Sequence, residues 1–330
     1  FSFGLVFLLV AVTTVSAAAD NILRYINEVA ADQFEEFIET YDKNYDSELE
    51  KALRFGIFLK NLEEIAYQNN INDDAEFGIT QFSDLINEEF IQHHTGCLQP
   101  DRDVEFSNVT HTRDLKVESQ FDWREKGVVT RVKNQQNRCG SCWAFSVIGN
   151  VESVNAIKTR NLQELSEQQL VDCDKNSNGC RGGRTYTAFE HLKSMGSMSA
   201  RAYPYLARDG NCKYNPGSVA VRLRDIVRVA VQESQLAQKL TEFGPLSIAI
   251  DSTVTKHYQN GVISGQNCRG GSLTHAVLLV GYGIDSATGK SYWLVKNSYS
   301  EFWGEQGYFR MERGINCLNF MTGSILTAVV

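Results

Sequence analysis

The chain has 330 residues, 42% hydrophobic and 22% charged, and a formal net charge of −8 that conceals two unlike halves. Residues 1–116 carry 8 Lys/Arg against 22 Asp/Glu (8 − 22 = −14), whereas residues 117–330 carry 24 against 18 (24 − 18 = +6). With no basic patch interleaved with aromatics, no G-x-x-x-x-G-K-[ST] loop, no internal repeat and no low-complexity tract, nucleic-acid binding, phosphate-loop and repeat architectures are excluded.

In chain order, the apolar run Phe1 to Val12 is too short to span a bilayer and is followed by the small residues Ser16-Ala17-Ala18-Ala19 and then Asp20. It reads as a secretory signal peptide over residues 1–19, incomplete at its start because it has neither an initiating Met nor a basic first region. Helical periodicity follows around 22–40 and 47–69, the second stretch bearing Glu50, Arg54, Ile57, Phe58, Asn61, Ile65 and Asn69. Steps of three and four put these side chains along one side of a helix, where ion pairs and apolar contacts form. Gly78-x-Thr80-x-Phe82-x-Asp84 then alternates like a short strand. A polar connector over 97–118 contains Pro100 and the glycosylation acceptor Asn108-Val109-Thr110. Opposite charge on the two halves favours docking of one on the other, and the attraction weakens as carboxylates protonate near about pH 4. The acidic half is therefore expected to be a lid released on acidification, with mature material beginning near Val117.

After Phe121-Asp122-Trp123-Arg124, a small-residue loop opens onto a stretch that reads as an amphipathic central helix from Cys142 to about Thr159. A shorter helix follows Ser166, with Gln169 three residues on completing a capping box. The turn at Gly244-Pro245 hands over to strands Leu246 to Asp251, His275 to Gly283, Tyr292 to Asn297 and Tyr308 to Met311, rich in β-branched and aromatic residues. A helical lobe and a strand-rich lobe meeting at a cleft leave room for an extended peptide across both.

Chemistry concentrates in Cys139-Gly140-Ser141-Cys142-Trp143-Ala144-Phe145-Ser146. A thiol at a helix N-terminus meets oriented backbone dipoles, which favour the thiolate below the free-thiol pKa of about 8.5. Attack on a peptide carbonyl also needs a proton donor for the leaving amine, a task for His. His93, His94 and His111 lie in the acidic half, His191 in a helix-like run and His257 in a polar stretch. His275 remains, opening an apolar strand 275 − 142 = 133 residues after Cys142. Asn297, at the end of the next strand and 297 − 142 = 155 residues on, is the candidate to orient the imidazole. Only Cys139 and Cys142 form a tight pair, and Trp143 and Phe145 crowd them, so no zinc site is expected, nor any other metal or cofactor.

The octapeptide and the two offsets resemble those of the papain family of cysteine proteases in precursor form, and the resemblance covers nearly the whole chain. The Glu50 to Asn69 pattern and Gly78-x-Thr80-x-Phe82-x-Asp84 resemble the two prosegment motifs of that family. Phe121-Asp122-Trp123-Arg124, Asn134-Gln135-Gln136 and Phe145-Ser146-Val147-Ile148-Gly149 look most like cathepsin O. The resemblance implies an α+β fold of two lobes, one helical and one barrel-like, behind an inhibitory prodomain. The divisions are residues 1–19 for the signal peptide, 20–116 for the propeptide and 117–330 for the peptidase. It implies a cysteine endopeptidase acting on proteins and peptides, with no membrane span or nucleic-acid partner, inhibited by its own propeptide and working in the lysosome or outside the cell.

Of the eight cysteines, six remain after Cys97 and Cys142, and the family pattern selects Cys139 with Cys180, Cys173 with Cys212, and Cys268 with Cys317. It assigns an oxyanion amide to Gln136, six residues before the nucleophile. The run Asn134 to Cys139 is one residue longer than usual, and Gln135 is the fallback if the extra residue bulges out after it. Gly182 and Gly183 resemble the glycine wall of the cleft, whose lack of Cβ admits a substrate backbone. Ala249 and Leu273 would line an apolar pocket for the second residue before the scissile bond, with Thr322 at its floor. One departure stands out: Asn297-Ser298-Tyr299-Ser300 replaces the usual Asn-Ser-Trp-Gly, so the Trp that shields the His-Asn hydrogen bond is missing. The alternative this raises is a papain-like binding protein with impaired chemistry.

Overall fold

The N-terminal segment is held together by aromatic packing between helix α1 (28–40) and helix α2 (Glu48–Asn70), where Phe34, Phe37 and Phe58 are buried in mutual contact. The computed structural model describes residues 28–71, 74–98, 117–136 and 138–330, and the backbone of 107–109. The expected signal peptide lies outside the described residues. Ser47 caps α2 by accepting from the Glu50 amide at 3.2 Å. The residues on its inward side then tie the helix to the chain that follows. Arg54 pairs with Glu89 at 2.7 Å, the Asn61 amide donates to the Ser83 and Leu85 carbonyls, and Asn69 exchanges two hydrogen bonds with Phe77. The spacing along α2 thus serves the next loop more than the helix itself.

That loop carries strand β1 (Ala75–Phe77) and helix α3 (Asn87–His94). The run from Gly78 to Asp84, expected to be a strand, is instead a turn after β1. The Ser83 amide donates to the Thr80 carbonyl at 3.0 Å and the Thr80 amide to the Ser83 hydroxyl at 3.0 Å. Its alternating pattern places Phe82 in the core and Asp84 against Lys43 and Tyr45. Ser and Thr hydroxyls that bond nearby backbone offer the chain this alternative to a ladder.

In the C-terminal part, helix α4 (Cys142–Thr159) is the axle. It is not the amphipathic helix expected: nearly every side chain from Cys142 to Ala156 is buried. On one side lie α5 (Glu167–Cys173) and α6 (Thr185–Met195), which share a core with Trp143, Val147 and Val151 through Leu170, Phe189 and Leu192. Ser166 caps α5, but the Gln169 side chain bonds Gly196 and Met198 instead of closing a capping box. On the other side of α4 stands a sheet. Its C-terminal strands are β3 (Phe121–Asp122), β6 (Asp225–Val229), β7 (Leu246–Ile250), β8 (Tyr258–Ile263), β9 (His275–Ile284), β10 (Ser291–Lys296), β11 (Tyr308–Glu312) and β12 (Leu326–Val329). A short hairpin of β4 (Ser197–Met198) with β5 (Val219–Val221), and helix α7 (Glu233–Phe243), complete the fold.

The sheet order is β1-β8-β11-β10-β9-β7-β12-β6-β2, with β3 on β9. Its two outer strands come from the N-terminal segment: β1 pairs antiparallel with β8, and β2 (Ser107–Val109) pairs parallel with β6. Phe77, Phe82 and Phe90 share the core of the sheet lobe with Tyr258 and Tyr299. Burying such a ring stabilises by roughly 1.5–3 kcal/mol, so the segment is bound by packing as well as by charge. Disulfides join Cys139 to Cys180, Cys173 to Cys212 and Cys268 to Cys317, and leave Cys97 and Cys142 free. Among the described residues no helix is long and apolar enough to cross a membrane, and no cluster of His, Cys, Asp or Glu is grouped to hold a metal.

Candidate active site

Cys142 is the first residue of α4, so its sulfur sits at the helix N-terminus and accepts a hydrogen bond from the Ala276 amide at 3.4 Å. The loop before it is pinned by the Cys139–Cys180 disulfide and by the Gly140 amide on the Cys180 carbonyl at 2.8 Å. His275 opens β9 and Asn297 follows the last residue of β10, so neighbouring strands bring the two side chains together. His275 Nε2 lies 2.8 Å from Asn297 Oδ1, an oxygen that also accepts from the Ser298 amide. An oxygen only accepts, which assigns the proton to Nε2 and leaves Nδ1 as the basic nitrogen. Nδ1 is buried and has no hydrogen-bond partner among the described residues. Tyr299 covers the pair: its ring stacks on His275 with centroids 4.9 Å apart and planes at 17°.

The two adjacent glutamines have different fates. Gln135 is fully buried, its amide nitrogen 3.0 Å from the Cys139 carbonyl and 3.0 Å from the His94 carbonyl, while its oxygen accepts from Ser298 Oγ at 2.7 Å. Gln136, favoured by spacing, is exposed, with φ 62° and its amide turned to Asn134. Gln136 and Arg138 both take positive φ, so the extra residue is absorbed after Gln135. The structure therefore buries Gln135, not Gln136, against the Cys139 carbonyl three residues before Cys142.

The cleft is filled by the N-terminal segment. The Gly96 and Cys97 amides donate to the Thr274 carbonyl at 3.0 and 2.9 Å, Gly183 donates to Gly96 at 2.8 Å, and Leu98 donates to Gly183 at 2.9 Å. A Cβ on Gly96 would meet the Gly140 carbonyl at 2.2 Å, and one on Gly182 the Gly96 carbonyl at 2.9 Å, so the two backbones pass closely because glycines face each other. Cys97 and Leu98 line a pocket with Ala249, Leu273, Gly323 and Tyr186. Thr322, expected at the floor, is not among its lining residues, whereas Gly323 and Ser324 are. Asn108, the expected glycosylation acceptor, lies in β2 opposite Arg228.

Burial under this segment sets the protonation of the site. It pushes the Cys142 thiol well above the ordinary range, the neighbouring Cys97 adds to that, and the Ala276 amide opposes it. Burial also pushes His275 down to about 4, against the Asn297 hydrogen bond that favours the cation. Desolvation opposes the helix N-terminus that favours a thiolate, and in the covered site it favours the neutral thiol and the neutral imidazole.

Sequence reasoning missed the supports. Tyr205 bonds Ser141 Oγ at 2.7 Å and the Gln135 carbonyl at 2.8 Å, and Ser298 holds the Gln135 side chain. Nothing in the linear pattern around Tyr205 signals this, because the contact spans two loops.

Residues 117–327 match the papain family cysteine protease model, and residues 34–90 match the cathepsin propeptide inhibitor domain. This chain belongs to the papain family of cysteine proteases. It is 42% identical over 314 residues to the viral cathepsin of Choristoneura fumiferana defective polyhedrosis virus, covering 94% of each chain. With the viral cathepsin of Bombyx mori nuclear polyhedrosis virus the identity is 41% over 305 residues, covering 91% of this chain and 93% of that one. Its structure is similar to that of digestive procathepsin L2 proteinase from Tenebrio molitor larval midgut, with TM-score 0.84, 35% identity, and 91% of this chain and 100% of that one covered. It is also similar to recombinant stem bromelain precursor, with TM-score 0.81, 38% identity, and coverage of 91% and 99%. The protease has the two-lobed papain-like fold preceded by its inhibitor-type prosegment. The sequence relatives are viral cathepsins and the similar structures a procathepsin L2 and a bromelain precursor, so the family reading stands while the finer likeness to cathepsin O has no counterpart among them.

Proposed function

We propose that the chain is the zymogen of a cysteine endopeptidase in which Cys142 is the nucleophile, His275 the proton shuttle, Asn297 its orienter and Gln135 an oxyanion donor. The observation that carries the reading is the His275–Asn297 hydrogen bond at 2.8 Å, which leaves basic Nδ1 free while the adjacent Ala276 amide contacts the Cys142 sulfur. Once uncovered, Cys142 transfers its proton to Nδ1 and the thiolate adds to the scissile carbonyl carbon. The resulting oxyanion is held by fixed donors, the Gln135 amide and the Cys142 backbone N–H. Collapse breaks the C–N bond as His275 protonates the departing amine and a thioester remains. His275 then takes a proton from water, the hydroxide displaces the thiolate, and the carboxylic acid leaves.

Gly183 pairs with extended backbone, and Ala249 with Leu273 favours an apolar side chain at the second residue before the scissile bond. The reading further assigns residues 20–116 to the propeptide and 117–330 to the peptidase, in a protein that enters the secretory pathway and works in an acidic lysosomal or extracellular setting after acid activation. Tyr299 stacked on His275 covers the ring where the usual Trp is missing, which speaks against the alternative of a catalytically impaired binding protein.

The test is labelling by a thiol-directed epoxide before and after acid processing, with the adduct located by mass spectrometry. Labelling at Cys142 is expected after processing only, with matching loss of cleavage of a peptide carrying an apolar second residue. A processed chain that neither labels nor cleaves would overturn the proposal.

A further inference from the structure

Among the described residues, the outer edge of strand β6 is paired only with the prosegment. In the sheet β6 lies between β12 and β2, and β2 (Ser107–Val109) belongs to the segment that processing removes. On the β12 side the Val229 amide donates to the Ile325 carbonyl at 2.9 Å. Successive residues of a strand alternate, so the Arg228 amide and carbonyl turn to the outer side, where Asn108 stands opposite in parallel register. Departure of β2 therefore leaves β6 as the last strand of the sheet, with main-chain donors and acceptors open. Such an edge is a template for another extended chain. Strand addition of this kind takes its affinity from backbone hydrogen bonds, so it is tolerant of sequence.

The edge is continuous with the cleft. A groove of about 400 Å³ beside β6 is lined by Val229, Val231, Gln232, Met321, Ile325 and Gly323. Gly323 also lines the pocket of Ala249 and Leu273, in which Cys97 and Leu98 sit. The prosegment traces the route. Gly96 crosses Gly140 two residues before Cys142, Leu98 lies in the pocket, and Ser107 is on β6. It covers the distance from pocket to edge in nine residues (107 − 98 = 9), so a substrate needs no more than that. The prosegment passes Cys142 first and β6 later. A substrate whose second residue before the scissile bond fills the pocket has its earlier residues on the β6 side, so its chain runs the other way. Against a strand that takes β2 in parallel it pairs antiparallel, the slightly more stable of the two ladders. We propose that the β6 edge and the groove beside it form an exosite for the acyl-side extension of a polypeptide substrate, held as an antiparallel strand through the main chain of Arg228. The inference rests on the protease reading and deepens it. It makes long, extended polypeptides the preferred substrate class over short peptides.

The experiment gives the processed enzyme three substrates with the same residues around the scissile bond. One begins at the residue for the Ala249 and Leu273 pocket, and one carries about twelve further residues of strand-forming sequence before it. The third replaces that stretch with an equally long run of proline, which has no N–H to donate to a ladder. The long substrate is expected to exceed the short one in kcat/KM on the order of tenfold, through KM, as about two added main-chain hydrogen bonds imply. The proline substrate is expected to behave like the short one. In Arg228→Pro, which deletes the outward N–H at a position where an edge strand tolerates proline, the long-over-short ratio falls toward one. Equal kcat/KM for long and short substrates in the wild type overturns the proposal, as does a gain that the proline substrate shares or that R228P leaves intact. Should R228P fail to fold, the strand-forming and proline stretches compared on the wild-type enzyme decide alone. A processed enzyme that light scattering shows to be dimeric, with no preference for length, assigns the edge to a second copy of the chain and overturns the substrate reading. A wild-type enzyme that cleaves none of the three sinks the protease reading instead.

Discussion

Gln135 and Gln136 are chemically identical neighbours, and only the backbone separates their roles. Gln135 is locked by Ser298 Oγ and buried beside Cys139, while Gln136 stands in solvent at φ 62°. Gln135→Ala is expected to lower kcat on the order of 10²-fold, the loss typical of one oxyanion donor, while Gln136→Ala changes it by less than about twofold. Steady-state kinetics of the processed variants decide, and the reverse ranking would return the role to Gln136. Offsets along the chain made Cys142, His275 and Asn297 legible, because residue types with scarce chemistry recur at set distances. They did not choose between the glutamines, since counting residues does not reveal where a loop bulges. Nor did they reveal the neutral thiol, which comes from burial beneath residues some 45 positions earlier (142 − 97 = 45).

At the scale of elements, helix α4 shows how a correct boundary can accompany a wrong environment. Its ends fall at Cys142 and Thr159 as periodicity predicts, yet it is buried all round, and Glu152 within it is 1% exposed. Glu152 accepts from Lys133 at 2.7 Å, Thr130 Oγ1 at 2.6 Å and the Leu165 amide at 2.8 Å, and Thr130 in turn receives Lys296 at 2.7 Å. Lys296 directly precedes Asn297, so the network joins the core helix to the strand end that delivers the orienter. Burial pulls Lys296 down to about 8, whereas the attraction of Glu167 and Glu152 overcomes burial and holds Lys133 above its usual value. Glu152→Ala leaves buried cations short of a partner and is expected to cost about 3–5 kcal/mol. The urea midpoint of the full chain would measure it, with Glu152→Gln retaining part of the hydrogen bonding. A loss below about 1 kcal/mol would show a surface-like pair. Nothing local in the sequence distinguishes a paired buried carboxylate such as Glu152 from an exposed one. The turn over 78–84 was misread for a related reason: Phe82 and Asp84 alternate to suit partners that lie far away in the chain.

Across the whole molecule, the charge split of −14 against +6 predicts docking by opposite fields, and the interface adds a second device. Among the described residues Lys290 pairs with Asp74 across the contact at 3.3 Å. The buried part of the contact also holds two histidines. His94 of the prosegment is packed on Phe82 and Phe90, with the Lys43 cation nearby and the imidazoles of His93 and His275 close to it. His257 of the peptidase lies 3.5 Å from Ser83 Oγ beside Lys256, which is itself bound to Asn61 and Asn87. Burial, reinforced by these cations, pushes both imidazoles down to about 3. When the segment leaves, each ring that is uncovered is expected to return toward an ordinary value of about 6.5 and to take up a proton that the docked state disfavours. A depressed pKa in the docked state means that docking is fully favoured above about pH 6.5 and weakens as pH falls below it, by up to about tenfold per unit for each ring. Between pH 7 and pH 5 the segment's hold is therefore expected to weaken on the order of 10²-fold, well before carboxylates titrate near pH 4. The rate at which the full chain becomes active, followed against pH, gives the check. The double variant His94→Gln, His257→Gln is expected to move the activation midpoint down by about one pH unit, toward the carboxylate range. An unchanged midpoint would leave activation to the carboxylates alone, as the charge pattern by itself implies.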